Sequence, residues 1–138
     1  MRTILLLDGD PDTAEMYAVG LKVFGFETVI ANGVEDALDR IRRARPDAVV
    51  ADAQAAMDKA WRLVTLVKQD AATRDVPVIV LTGRADATIC DGAREAKCAA
   101  LLLKPCLPDA LANVLNAALT GGPGGSGPDT LGCRRLLH

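Results

Sequence analysis

Four short apolar runs each end in a residue able to take part in phosphate chemistry. ILLL empties into Asp8, Asp10 and Asp12, AVVA into Asp52, VIVL into Thr82, and LLL into Lys104 followed by Pro105. Acids can hold a hard divalent cation through oxygen. The cation and a lysine can neutralise phosphoryl oxygens while a hydroxyl donates to a third. A carboxylate can itself act as nucleophile and form an acyl phosphate. Plain structural duties compete with these roles. Asp52 could cap a helix, Thr82 could serve a turn, and Lys104 could be a solvated strand-end charge. Asp12 reads as an N-cap or first-turn acid, and Tyr17 and Trp61 read as residues packed on helix faces.

Strands at Thr3–Leu7, Glu27–Ala31, Ala48–Ala51, Val76–Leu81 and Ala100–Leu103 must place these groups. Runs such as VPVIVL are apolar throughout, as strands covered on both faces require. Helical stretches alternate with them. One runs from Asp12 to Phe24 and stops at Gly25. Asn32 with Glu35 predicts a capping box opening a helix that buries Ala37, Leu38 and Ile41. Ala60, Leu63, Val64 and Val67 share a face, Arg84–Cys98 is a helix interrupted at Gly92, and Pro108 opens the last helix. Five βα units in series predict an α/β protein with a doubly wound parallel sheet between two helical layers. In such sheets ligands bind beyond the carboxyl ends of the strands.

The bulk composition narrows the function. With 138 residues the chain suits one domain, expected at 1–120. The tail 121–138, rich in Gly and Pro at its start, reads as a flexible linker. A net charge of −2 and 3% aromatic residues argue against a nucleic-acid surface or a base-stacking platform. No apolar run reaches bilayer length and no signal peptide precedes the first strand, so a cytoplasmic location without a membrane partner is expected. Cys90, Cys98, Cys106 and Cys133 lack zinc-like spacing, and His138 is the lone histidine, which predicts free thiols and excludes a His-based triad.

Taken together, ILLLDGDPDT, PDAVVADAQAAMD, RDVPVIVLTG and LLLKPC, in this order and each at a strand end, resemble the response-regulator receiver domain of two-component signalling. The resemblance runs without gaps from about Thr3 to Leu119. It implies a flavodoxin-like, receiver-type sheet of order 2-1-3-4-5. It implies Asp52 as phosphoacceptor from a histidine kinase or phosphotransfer protein, Thr82 as the hydroxyl that swings toward the phosphoryl group, and Lys104 as its lysine contact. It also implies Mg²⁺ held by Asp8, Asp52 and the backbone carbonyl of Gln54, with Gln54 and Arg84 tuning the acyl phosphate lifetime. Gly83 matches a small residue that leaves the phosphoryl group accessible, and the Lys104–Pro105 bond is expected to be cis.

Four departures qualify that implication. Gly9 replaces the second acid of the metal pair, which weakens Mg²⁺ binding; Asp10 is the candidate replacement ligand. The loop after Asp52 reads AAMDKA, with Ala56 and Ala60 where Pro and Gly are usual. Leu101 stands at the position of an aromatic switch. Lys97 and Cys98 replace a Gly-Ala pair, at a cost if the turn needs a positive φ. One expected function is therefore a stand-alone, non-enzymatic phosphoacceptor with a weakened metal site and no output domain within these residues. A pseudo-receiver acting as an interaction module, homodimeric through the last strand and helices, is the alternative. A third reading is a haloacid-dehalogenase-type phosphatase, with Asp8 as nucleophile and Asp10 as acid/base; it leaves Asp52 without a role.

Overall fold

The computed structural model describes residues 1–52, 57–84 and 86–120. Strands β1 (Arg2–Leu7), β2 (Phe26–Ala31), β3 (Ala48–Asp52), β4 (Val78–Thr82) and β5 (Ala100–Leu103) alternate with helices α1 (Pro11–Val23), α2 (Val34–Ala44), α3 (Met57–Gln69), α4 (Ala87–Ala96) and α5 (Pro108–Thr120). All strand pairs are parallel, in the order β2-β1-β3-β4-β5. This is the doubly wound sheet expected from the alternation of elements.

Strand alternation sorts the core into two halves. Ile4, Leu6, Val50, Ile79 and Leu81 pack against Tyr17 and Leu21 of α1 and Leu111 and Leu115 of α5. Leu5, Val49, Val80 and Leu101 face the opposite layer, with Ile41 of α2, Leu63 and Val64 of α3, and Ile89 of α4. β3 and β4 are buried along their whole length, as central parallel strands covered on both sides must be.

Several local expectations need correction. Gly33, not Asn32, is the N-cap of α2, and its helix start carries no side-chain cap. Asp36, one residue beyond Glu35, takes the Asn32 amide at 3.0 Å. β4 starts at Val78, because Val76 is held in the preceding turn by its amide bond to the Thr73 carbonyl. α4 is shorter than Arg84–Cys98, since Asp86 caps it by accepting from the Ile89 amide at 3.0 Å. Gly92 does not interrupt α4. A Cβ there would stand 2.7 Å from Nε1 of Trp61, so the glycine admits the α3 indole. Cys98 and Cys106 are free, buried thiols, but Cys90 takes part in a disulfide, so the expectation of free thiols does not extend to it. No helix among the described residues is long and apolar enough to cross a membrane.

Candidate functional site

The parallel register brings the strand ends to one rim. Leu7 pairs with Ala51, so Asp8, just past β1, and Asp52, the last residue of β3, come to the same level. Both are buried, at 5% and 7% exposure. Burial raises the Asp8 carboxyl above its usual pKa, and the nearby negative charge of Asp52 adds to that; the Asp10 amide, donating at 2.9 Å, and the charge of Lys104 work the other way.

Lys104 reaches Asp52 across a distance of 52 residues in sequence. Its Nζ lies 2.8 Å from one carboxylate oxygen and 3.1 Å from the other. The Asp52 side chain is wholly buried in this pair, whereas that of Lys104 is 27% exposed. The lysine backbone is anchored too, its amide donating to the Thr82 carbonyl at 2.7 Å. The Lys104–Pro105 bond is cis.

Thr82 ends β4 next to Leu81, the register partner of Asp52. Its hydroxyl donates to the Arg84 carbonyl and accepts from the Arg84 amide, both at 3.1 Å. The group is at the rim but closed on its own loop. Gly83 is exposed, and a Cβ there would meet nothing within 4 Å. Arg84 turns outward to pair with Asp86. Leu101 is fully buried in the core.

Asp10 has a different occupation. As N-cap of α1 its carboxylate accepts from the Asp12 amide at 3.3 Å and the Thr13 hydroxyl at 2.6 Å. The Thr13 bond, above all, holds its carboxyl below the usual range. Asp12 is a first-turn acid of α1. Gln54 and the rest of 53–56 lie outside the described residues. Among the described residues no group of three or more His, Cys, Asp or Glu is arranged around a metal position. What the rim does offer is two buried carboxylates whose mutual repulsion a hard divalent cation would relieve, so the donor chemistry fits Mg²⁺ with fewer acidic ligands than three.

One member of this region was missed from sequence. Tyr17 reads there only as a packing residue, yet its buried hydroxyl donates to the Cys106 carbonyl at 2.7 Å. Burial pushes its pKa up to about 12, with added effect from the Cys106, Asp52 and Asp8 charges. No spacing rule links a helix residue to a carbonyl 89 positions away.

Comparison with known proteins agrees with this geometry. The family model of the response regulator receiver domain matches residues 4–116. The phosphate regulon transcriptional regulatory protein PhoB of Pseudomonas aeruginosa is 30% identical over 126 residues, covering 91% of this chain and 55% of that protein. The chain spans between about a third and just over half of the length of the curated relatives it matches. The signal receiver domain of a histidine kinase from Syntrophus aciditrophicus superposes with a TM-score of 0.79 at 25% identity, covering 88% of this chain and 92% of that one. The chemotaxis response regulator CheY4 of Vibrio cholerae shares the fold, with a TM-score of 0.77 at 21% identity over 86% of this chain and 98% of its own. A parallel sheet of order 2-1-3-4-5, acids and a lysine at its carboxyl rim, and a family match over most of its length assign this chain to the response-regulator receiver family.

Proposed function

We propose that Asp52 accepts a phosphoryl group from the phosphohistidine of a histidine kinase or phosphotransfer protein, and that the unit spanning 1–120, with 121–138 as its tail, signals by partner contact. Receiver domains are signalling modules that in general take phosphoryl groups from such donors. The single observation that carries the reading for this chain is the Lys104 ammonium resting on both oxygens of a buried Asp52. In the transfer, one Asp52 oxygen attacks phosphorus in line. The phosphorus–nitrogen bond breaks, and its electron pair returns to the imidazole. To free the attacking oxygen Lys104 gives up one of its two contacts, which leaves the ammonium beside the incoming phosphoryl oxygens. Thr82 supports the product once its hydroxyl leaves Arg84. Mg²⁺, when bound, supplies further positive charge to the phosphoryl oxygens, and Asp8, Asp52 and the Gln54 carbonyl are the groups that would hold it. Gly9 makes that site weak. Asp10 could join it only by giving up its cap on α1.

Phosphoramidate or acetyl phosphate with Mg²⁺, followed by intact-mass measurement, tests the proposal. One added phosphoryl mass is expected in the wild type and none in Asp52→Ala. The phosphatase reading needs Asp10 as a free acid/base, whereas its carboxylate is engaged by Asp12 and Thr13. A phosphorylation-independent interaction module is favoured by the closed Thr82 hydroxyl and the buried Leu101, which leave no moving ring to report the site's state. Failure of the wild type to gain mass from either small donor would select that module instead.

A further inference from the structure

The loop that follows Lys104 is gripped by α1 at two points one turn apart. Tyr17 donates to the Cys106 carbonyl at 2.7 Å. Gly20 then brings the helix against the ring of Pro108 so closely that a Cβ would stand 2.4 Å from Cγ and 2.5 Å from Cβ of that proline. The Lys104 amide bond to Thr82 fixes the start of the same stretch. Residues 104–108 are thus tied down at their beginning, middle and end, and two of the three ties come from α1. That helix begins with the Asp10 cap, two residues beyond Asp8.

We propose that Tyr17 is a positioning residue for phosphoryl transfer, holding the Lys104 ammonium on Asp52 through the Cys106 carbonyl. A lysine side chain is long and flexible, so where its ammonium comes to rest depends on how firmly its backbone is held. Misplacement of a reacting group by about 1 Å is enough to slow a reaction by about 100-fold. Packing alone would be served equally by phenylalanine; only the hydroxyl reaches the carbonyl. The tie matters more here than where a second acid accompanies Asp8, because a weak cation site leaves more of the charge to Lys104.

The inference rests on the phosphoacceptor reading, and two measurements on the full chain keep them apart. In the first, phosphoramidate-driven phosphorylation of Tyr17→Phe is followed by intact mass. A slowing of about tenfold is expected, and it should vanish when both proteins carry Lys104→Ala, because the tyrosine acts through that lysine. No slowing, or equal slowing in both backgrounds, overturns the proposal. The second measurement requires no phosphoryl transfer. Trinitrobenzenesulfonate labelling resolved by peptide mass should modify Lys104 several-fold faster in Tyr17→Phe, with Lys22, Lys59, Lys68 and Lys97 unchanged. An unchanged rate at Lys104 sinks the positioning role, as does faster labelling at every lysine, which would mark general loosening. If the wild type takes up no phosphoryl group, the phosphoacceptor reading fails while the labelling result still decides the role of Tyr17.

Discussion

Asp8 carries an electrostatic cost that the fold has not removed. Its carboxyl is buried beside Asp52, and both effects favour its protonated form in the folded chain. A folded pKa above the unfolded value means stability that is present at low pH and lost as pH rises through the folded pKa. Without divalent cations, Asp8→Asn should therefore be more stable than the wild type at pH 7, by about 0.5–2 kcal/mol, the common size of a single stabilising substitution. Urea titrations should show the gap closing as pH falls into the ordinary carboxylate range. Added Mg²⁺ should narrow it from the other side, by stabilising only the protein that retains the ligand. At this scale the residue types were legible, because each acid, hydroxyl or lysine follows an apolar run. Their partners were not. Asp10 as a cap and Tyr17 as a donor depend on a rotamer and on a contact across the fold, and neither leaves a periodic trace in the chain.

The elements themselves were readable because burial imposes period and length. Apolar runs such as VPVIVL have one stable use in a sheet covered on both faces, and the observed strands fall within two residues of their expected bounds. Local errors arose where neighbouring residues of like chemistry compete. Glu35 and Asp36 are both acids of the first turn of α2; Asp36 takes the Asn32 amide, while Glu35 pairs with Arg62 of α3. The turn before β5 was anticipated more closely, as a place where lysine would be strained if φ were positive. Lys97 does close α4 in the left-handed region, at φ 63°, with its amide bonded to the Ala93 and Arg94 carbonyls. Lys97→Gly removes the contact between Cβ and the following carbonyl, and should stabilise the domain by about 1 kcal/mol. That corresponds to a rise in Tm of about 4 °C by calorimetry, with the phosphorylation rate unchanged.

On the whole molecule, the outer side of α1 presents an apolar stripe. Met16, Val19 and Val23 recur at helical spacing and are exposed, Val23 by 80%, with Phe24 beyond them. The stripe runs along the helix whose first turn, with the Asp10 cap and Asp12, borders the acidic loop. A patch of this kind on a soluble domain commonly marks a partner surface. Val19→Glu combined with Val23→Glu should cut the rate of transfer from the phosphohistidine donor by about tenfold or more, the loss usual for a well-packed contact. The rate with phosphoramidate should stay as it was, because that small donor needs no docking. Comparing the two donors on one preparation of the double variant makes the measurement.

The contact between Asp52 and Lys104 joins β3 to β5, strands with β4 between them. Asp52 is made early in synthesis and Lys104 late, so a nascent or proteolytically shortened chain that ends before β5 cannot form this pair. The Asp52–Lys104 pair therefore exists only once the sheet has been carried out to β5, and it reports that the two halves of the sheet have come together.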